Sequence, residues 1–186
     1  MKTTNRKKKP FEAALREIRA SNSRGTVLVA AAMVNQLLFG ALKYNLVRLS
    51  KREEEDLFEG FGPLSTFSAQ IKLGFAMGLY GKKLRHDLDT IRTIRNDFAH
   101  TIDDIDLTEP EFTPKMQSLY AISDITDRKH RPSSELLAIA VERICTFLIL
   151  RTAPFNLKPD KHLLDTLKIL DFSIFSEVKR RNVASK

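Results

Sequence analysis

The chain has 186 residues, 42% hydrophobic and 29% charged, the make-up of an ordinary soluble domain with enough length to bury a core. Its one cysteine excludes an internal disulfide and suits a reducing, cytoplasmic setting. The net charge of +8 sits at the two ends: without the nine basic residues of 1–10 and 179–186, 22 basic residues face 23 acidic ones.

Residues 1–9 read as a disordered basic tail and 179–186 as a second one, with a single all-α domain over 10–178. Arg6, Lys7, Lys8, Lys9, Lys179, Arg180 and Arg181 in these tails suit non-specific attraction to nucleic acid, or serve only as solubilising ends. Pro10 fits the first turn of a helix whose narrow apolar face is Phe11, Ala14, Leu15 and Ile18.

Val27 to Leu42 carries no charge. It is short for a membrane span and has Asn35 and Gln36 in its middle, so it reads as a central buried helix running to about Leu49, with no membrane role. Glu12 and Glu17 upstream exclude a signal peptide. The acidic run Glu53 to Asp56 opens the next short helix, as anionic side chains favour a helix N-terminus.

Gly60 to Pro63 makes a turn, with Ser65 as the expected N-cap of the following helix. Gly74 and Gly78 are four residues apart, a spacing that would let another helix approach closely. Gly81-Lys82 is not a phosphate-binding loop, because that motif needs glycine at 76 and serine or threonine at 83, where Ala76 and Lys83 stand.

In the helix that follows, Leu84, Leu88, Ile91, Ile94, Phe98 and Ile102 form an apolar stripe at about 100° per residue. Arg95 projects into the middle of that stripe, with Asn96 and His100 on the opposite side. A guanidinium aimed at a core is costly unless paired, so a carboxylate from a neighbouring helix is the expected partner. The sharper alternative makes Arg95 and His100 a phosphate or nucleic-acid site. Arg95 and His100 lie about 140° apart on the wheel, so one subunit's helix would not by itself bring them together.

Asp103, Asp104, Asp106, Glu109 and Glu111 read as a solvated acidic loop without calcium-site spacing, ending at a helix that begins at Thr113-Pro114. After a polar connection over Asp124 to Ser134, the segment Ser134 to Arg151 is apolar nearly all round, a core or interface helix. Cys145 in it reads as a small buried hydrophobe. Leu163, Leu167, Leu170 and Ile174 define a last amphipathic helix. No strand alternation, no cysteine–histidine cluster and no cofactor loop appears, so no metal or cofactor is expected.

The Phe61-Gly62-Pro63-Leu64 turn, the runs Phe67-Ser68-Ala69 and Ile71-Lys72-Leu73, and the tail Ile94-Arg95-Asn96-Asp97-Phe98-Ala99-His100 together resemble the mannitol operon repressor family. Within that string Gly62, Pro63, Arg95, Asn96 and His100 form the family-like cluster. The resemblance implies an all-α bacterial transcriptional repressor. The spacing from Arg95 to His100 also satisfies the Arg-x4-6-His pattern of HEPN domains, many of which are metal-independent RNases.

The fold expected is thus a bundle of about six to eight helices, HEPN-like in class. No short, basic helix after a tight turn stands out as an operator-reading element: the helix after Gly81 starts with Lys82, Lys83 and Arg85 but also carries Asp87 and Asp89. The function expected is a regulator acting through protein partners, as a homodimer. The enzyme alternative is an RNase using Arg95, Asn96 and His100, and a third reading is a non-enzymatic helical scaffold.

Overall fold

A computed structural model describes residues 22–152. The basic tails, the helix expected from Pro10 and the amphipathic helix expected over Leu163 to Ile174 lie outside the described residues. Among those described there are six α-helices and two short 3-10 turns, with no strand, so the all-α expectation holds.

Helix α1, Ser23–Asn45, is the centre of the bundle and packs against α6, α4 and α3, all introduced below. Asn22 caps it by accepting a hydrogen bond from the Gly25 amide at 2.8 Å. Val27, Ala30, Ala31, Val34, Leu38, Ala41 and Leu42 are buried along one side. Removing a side chain such as that of Leu38 would cost about 2–5 kcal/mol. By length and composition α1 is the described helix that could cross a membrane, and in the fold it is the core helix.

The helix stops at Asn45 and does not run on to Leu49. The Asn45 amide turns back to donate to the carbonyl of Ala41 and, across the bundle, to that of Arg151. That side chain competes with the backbone for the last carbonyls, the usual way an asparagine ends a helix. Helix α2, Lys51–Phe58, then opens on a capping box: Ser50 accepts from the Glu53 amide, and the Glu53 carboxylate accepts from the Ser50 amide.

The turn to α3, Phe67–Ala76, is capped by Thr66 and not by Ser65. Thr66 Oγ1 accepts from the Ala69 amide at 3.1 Å, while the Ser65 amide is spent on the Gly62 carbonyl. Helix α3 ends in a Schellman motif. The Leu79 amide donates to the Gly74 carbonyl and the Gly78 amide to that of Phe75, with Gly78 left-handed at φ +70°.

The two glycines therefore have different work, and neither makes a seam for another helix. Gly78 ends α3, and Gly74 makes room for Tyr80, whose hydroxyl would lie 2.7 Å from a Cβ there. The Tyr80 hydroxyl donates to the Ile71 carbonyl at 2.7 Å, and burial raises its pKa above the usual tyrosine range.

Helix α4, Lys82–His100, follows, then α5, Phe112–Gln117, a 3-10 turn Tyr120–Ile122, a second at Arg128–His130, and α6, Ser133–Leu150. In α6 nine residues from Leu136 to Leu148 are buried within this one chain, and Ile149 near its end is left 39% exposed. Cys145 is among them, and burial with the nearby Glu142 pushes its thiol up to about 12, as suits a packing residue.

Candidate functional site

Helix α4 carries the polar string singled out in the sequence. Its buried residues are Leu84, Asp87, Leu88, Ile91, Ile94 and Phe98. Arg95 is exposed, against expectation. The reason is that a wheel superimposes turns at different heights. In the first half the buried face runs through Leu84, Leu88 and Ile91; in the second it runs through Ile94 and Phe98, away from Arg95. The helix also ends at His100, so Ile102 leaves the stripe and stands 99% exposed.

Arg95 donates from Nη1 to Asn96 Oδ1 at 3.0 Å and meets no carboxylate among the described residues. His100 is exposed in the last turn and makes no hydrogen bond or ion pair among the described residues, and nothing joins it to Arg95. The buried salt bridge expected for Arg95 is absent among the described residues, because Arg95 faces solvent.

The ion that α4 does bury is Asp87. Its two oxygens accept the amides of Tyr120 and Ala121 at 2.8 and 2.7 Å, so the carboxylate holds the first 3-10 turn. Burial pushes its pKa up to about 6, opposed by those two amides and by His86. Arg143 of α6 takes the Ala121 carbonyl from the other side at 2.7 Å and pairs with Asp124. An acid three residues after Leu84 and four before Ile91 was visible on the same wheel as the stripe, and was the signal to follow.

The far end of α4 is held by Arg24. Its guanidinium donates to the carbonyls of Phe98, Thr101 and Asp103 at 2.9, 3.0 and 2.7 Å, supplying partners that the end of a helix lacks. Ser23 beside it donates to Asp106 at 2.6 Å and accepts from the Leu107 amide. The hydroxyl and amide of Thr108 also bond Asp106, whose pKa is lowered by these contacts. Part of the acidic loop is thus built structure and not merely solvated surface. Nothing local in the sequence pairs Arg24 with a helix end more than seventy residues away.

At the start of α4 an open recess of about 370 Å³ is lined by Lys82, Arg85, His86, Asp89, Lys115 and Ser118, among others. His86 Nε2 lies 3.2 Å from Ser118 Oγ. The Ser118 hydroxyl already donates to the Lys115 carbonyl at 2.8 Å, so its oxygen accepts from His86. In that arrangement the histidine donates to the serine and does not act as its base. Two of the three basic side chains of the recess are also answered: Lys115 pairs with Asp97 at 2.7 Å, and Arg85 lies 3.8 Å from Asp89, which Arg92 flanks as well.

The third feature is the turn between α2 and α3. Gly60 is left-handed at φ +54°, and a Cβ on Gly62 would sit 2.5 Å from the Leu57 carbonyl oxygen. Pro63 follows on the exposed side, and the Phe61 ring is fully in solvent. Gly62 and Pro63 are thus in one turn, apart from the cluster of Arg95, Asn96 and His100 on α4. Arg6, Lys7, Lys8, Lys9, Lys179, Arg180 and Arg181 lie outside the described residues. No group of three or more histidines, cysteines or acids suited to a metal occurs among the described residues.

Comparison with known proteins adds two findings. The sequence profile of the family described as MtlR: Mannitol repressor matches residues 27–149. A chain of the X-ray structure of the MtlR-HPr complex from Escherichia coli shares the fold, with a TM-score of 0.60 and 15% identity over 76% of this chain and 98% of that one. No curated protein matches the sequence.

Proposed function

Since the chain belongs to the mannitol repressor family, we propose that it is a bacterial transcription regulator acting through a protein partner of the HPr kind, and not by laying a helix in an operator. The observation that carries this reading is the setting of α4, the helix that follows a glycine turn and starts with cations. Its outward side shows Asp89 and Asp97 beside its basic residues, and both are engaged in ion pairs. Carboxylates there would face a phosphate backbone, and arginines already paired are poorly placed to read base edges.

Family membership supports the regulatory role, and the likeness to a chain from an HPr complex supports the class of partner. Non-specific affinity for nucleic acid belongs, in this reading, to the basic tails. The homodimer expected from the sequence stays part of the proposal: Gly74 is filled by Tyr80 within one chain, while Ile149 of α6 stands 39% exposed and is free to meet a second copy.

Titration calorimetry with purified HPr tests the proposal. Saturable binding near one to one is expected, with DNA affinity that falls steeply with salt and ignores operator sequence. Absence of HPr binding, or tight sequence-specific binding by the protein alone, would refute it.

A further inference from the structure

The Phe61 turn belongs to the family-like string, yet the fold uses only part of it. Gly62 is required where a Cβ would strike the backbone of Asp56 and Leu57. Leu64 closes the turn by donating its amide to the Leu57 carbonyl at 2.8 Å, and its own carbonyl accepts from Gln70. The Phe61 ring takes part in none of this: its relative exposure is 109%, the highest among the large exposed hydrophobic residues.

The ring is presented by a braced backbone. Gly62 and Ser65 donate their amides to the carbonyls of Glu59 and Gly62 at 2.8 and 3.0 Å. A backbone held in such a turn loses little freedom on binding, which leaves only the two side-chain torsions of the ring to be ordered. Around it is a shallow recess of about 470 Å³ whose charged lining is Glu55, Asp56 and Glu59, all exposed; Lys51, outside the lining, pairs with Glu55 at 3.5 Å, and Asp56 and Glu59 make no ion pair among the described residues. Val47 and Ile102 are also exposed, but neither is an aromatic ring carried on a braced turn.

From these features we infer that the turn at Phe61 is the docking site for the protein partner: the ring enters an apolar recess on a positively charged protein surface, and Glu55, Asp56 and Glu59 meet the charge around it. The inference rests on the function proposed above. The rim steers and orients, and the ring supplies most of the binding strength.

The experiment is calorimetric titration of purified HPr into four full-length proteins at low and high salt. They are the wild type, Phe61→Ala, the triple variant Glu55→Gln/Asp56→Asn/Glu59→Gln, and Ile102→Ala as a control. Phe61→Ala should bind at least about tenfold more weakly at both salt levels, with an unchanged melting temperature because the ring packs on nothing. The triple variant should lose most of the salt dependence, and Ile102→Ala should match the wild type.

If the wild type binds HPr and Phe61→Ala binds equally well, the docking site is elsewhere while the functional proposal stands. A wild type that does not bind HPr sinks the functional proposal and this inference with it. A change of oligomeric state in Phe61→Ala by light scattering, with HPr affinity intact, would assign the ring to contacts between copies and reject the inference.

Discussion

Arg24 and Phe98 lie seventy-four positions apart in sequence, yet the Arg24 guanidinium donates to the Phe98 carbonyl at 2.9 Å. The first turn of the central helix thereby fixes the last turn of α4, together with the bonds to Thr101 and Asp103.

Removing that cap should be costly for a partly exposed residue. Arg24→Ala leaves three carbonyls without their charged donor and should destabilise the fold by about 2 kcal/mol. Arg24→Lys should recover only part, since an ammonium lacks the planar fork that reaches three acceptors. Urea unfolding of the two variants measures the difference; a loss under a few tenths of a kcal/mol would mean water replaces the cap freely.

Asp87 makes stability depend on pH. Its pKa is raised in the fold from 3.8 to about 6, so the folded state holds the proton more tightly than the unfolded one. Its contribution is fully present below the unfolded value and is lost as pH rises through about 6, by roughly 3 kcal/mol. In Asp87→Asn this titration is gone. The stability of the wild type relative to Asp87→Asn should therefore fall between pH 4 and pH 7, and parallel curves would show that Asp87 is ionised at its ordinary pKa.

Gly62→Ala should damage the fold at a surface turn. The added carbon meets backbone oxygens of Leu57 and Asp56 at 2.5 and 2.6 Å, and backbone cannot swing away as a side chain can. A loss of about 1–3 kcal/mol in thermal unfolding is expected. Phe61→Ala next to it should leave stability unchanged.

Arg95 and His100 are both exposed, so Arg95→Ala and His100→Ala should each cost under about 0.5 kcal/mol. The RNase reading of the same pair predicts metal-independent cleavage of single-stranded RNA that His100→Ala abolishes. With no contact between Arg95 and His100, the purified wild type should leave such RNA intact. Cleavage in the presence of chelator, lost in His100→Ala, would restore the enzyme.

Deleting residues 1–9 and 179–186 should remove most of any salt-sensitive, sequence-independent DNA binding. Gel shifts across a salt series report it, and an undiminished salt slope in the truncated protein would place the nucleic-acid surface on the bundle.

The sequence by itself determined the all-α class, the charge-free central helix, the apolar α6 and the turn at Gly62. These depend on helical period, charge placement and backbone geometry, all of which act over a few residues. The tertiary structure alone decided that Arg95 faces water, that Asp87 receives the amides of Tyr120 and Ala121, that Gly74 receives Tyr80 and that Arg24 closes α4. A local period says that a helix has an apolar side; it does not say how far along the axis a neighbour covers that side. Where neighbours pack also determines which carbonyl or carboxylate comes within 3 Å of a given group. Those are long-range contacts, such as Arg24 with Phe98 and Asp87 with Ala121, and burial turned each into a strong requirement for a partner.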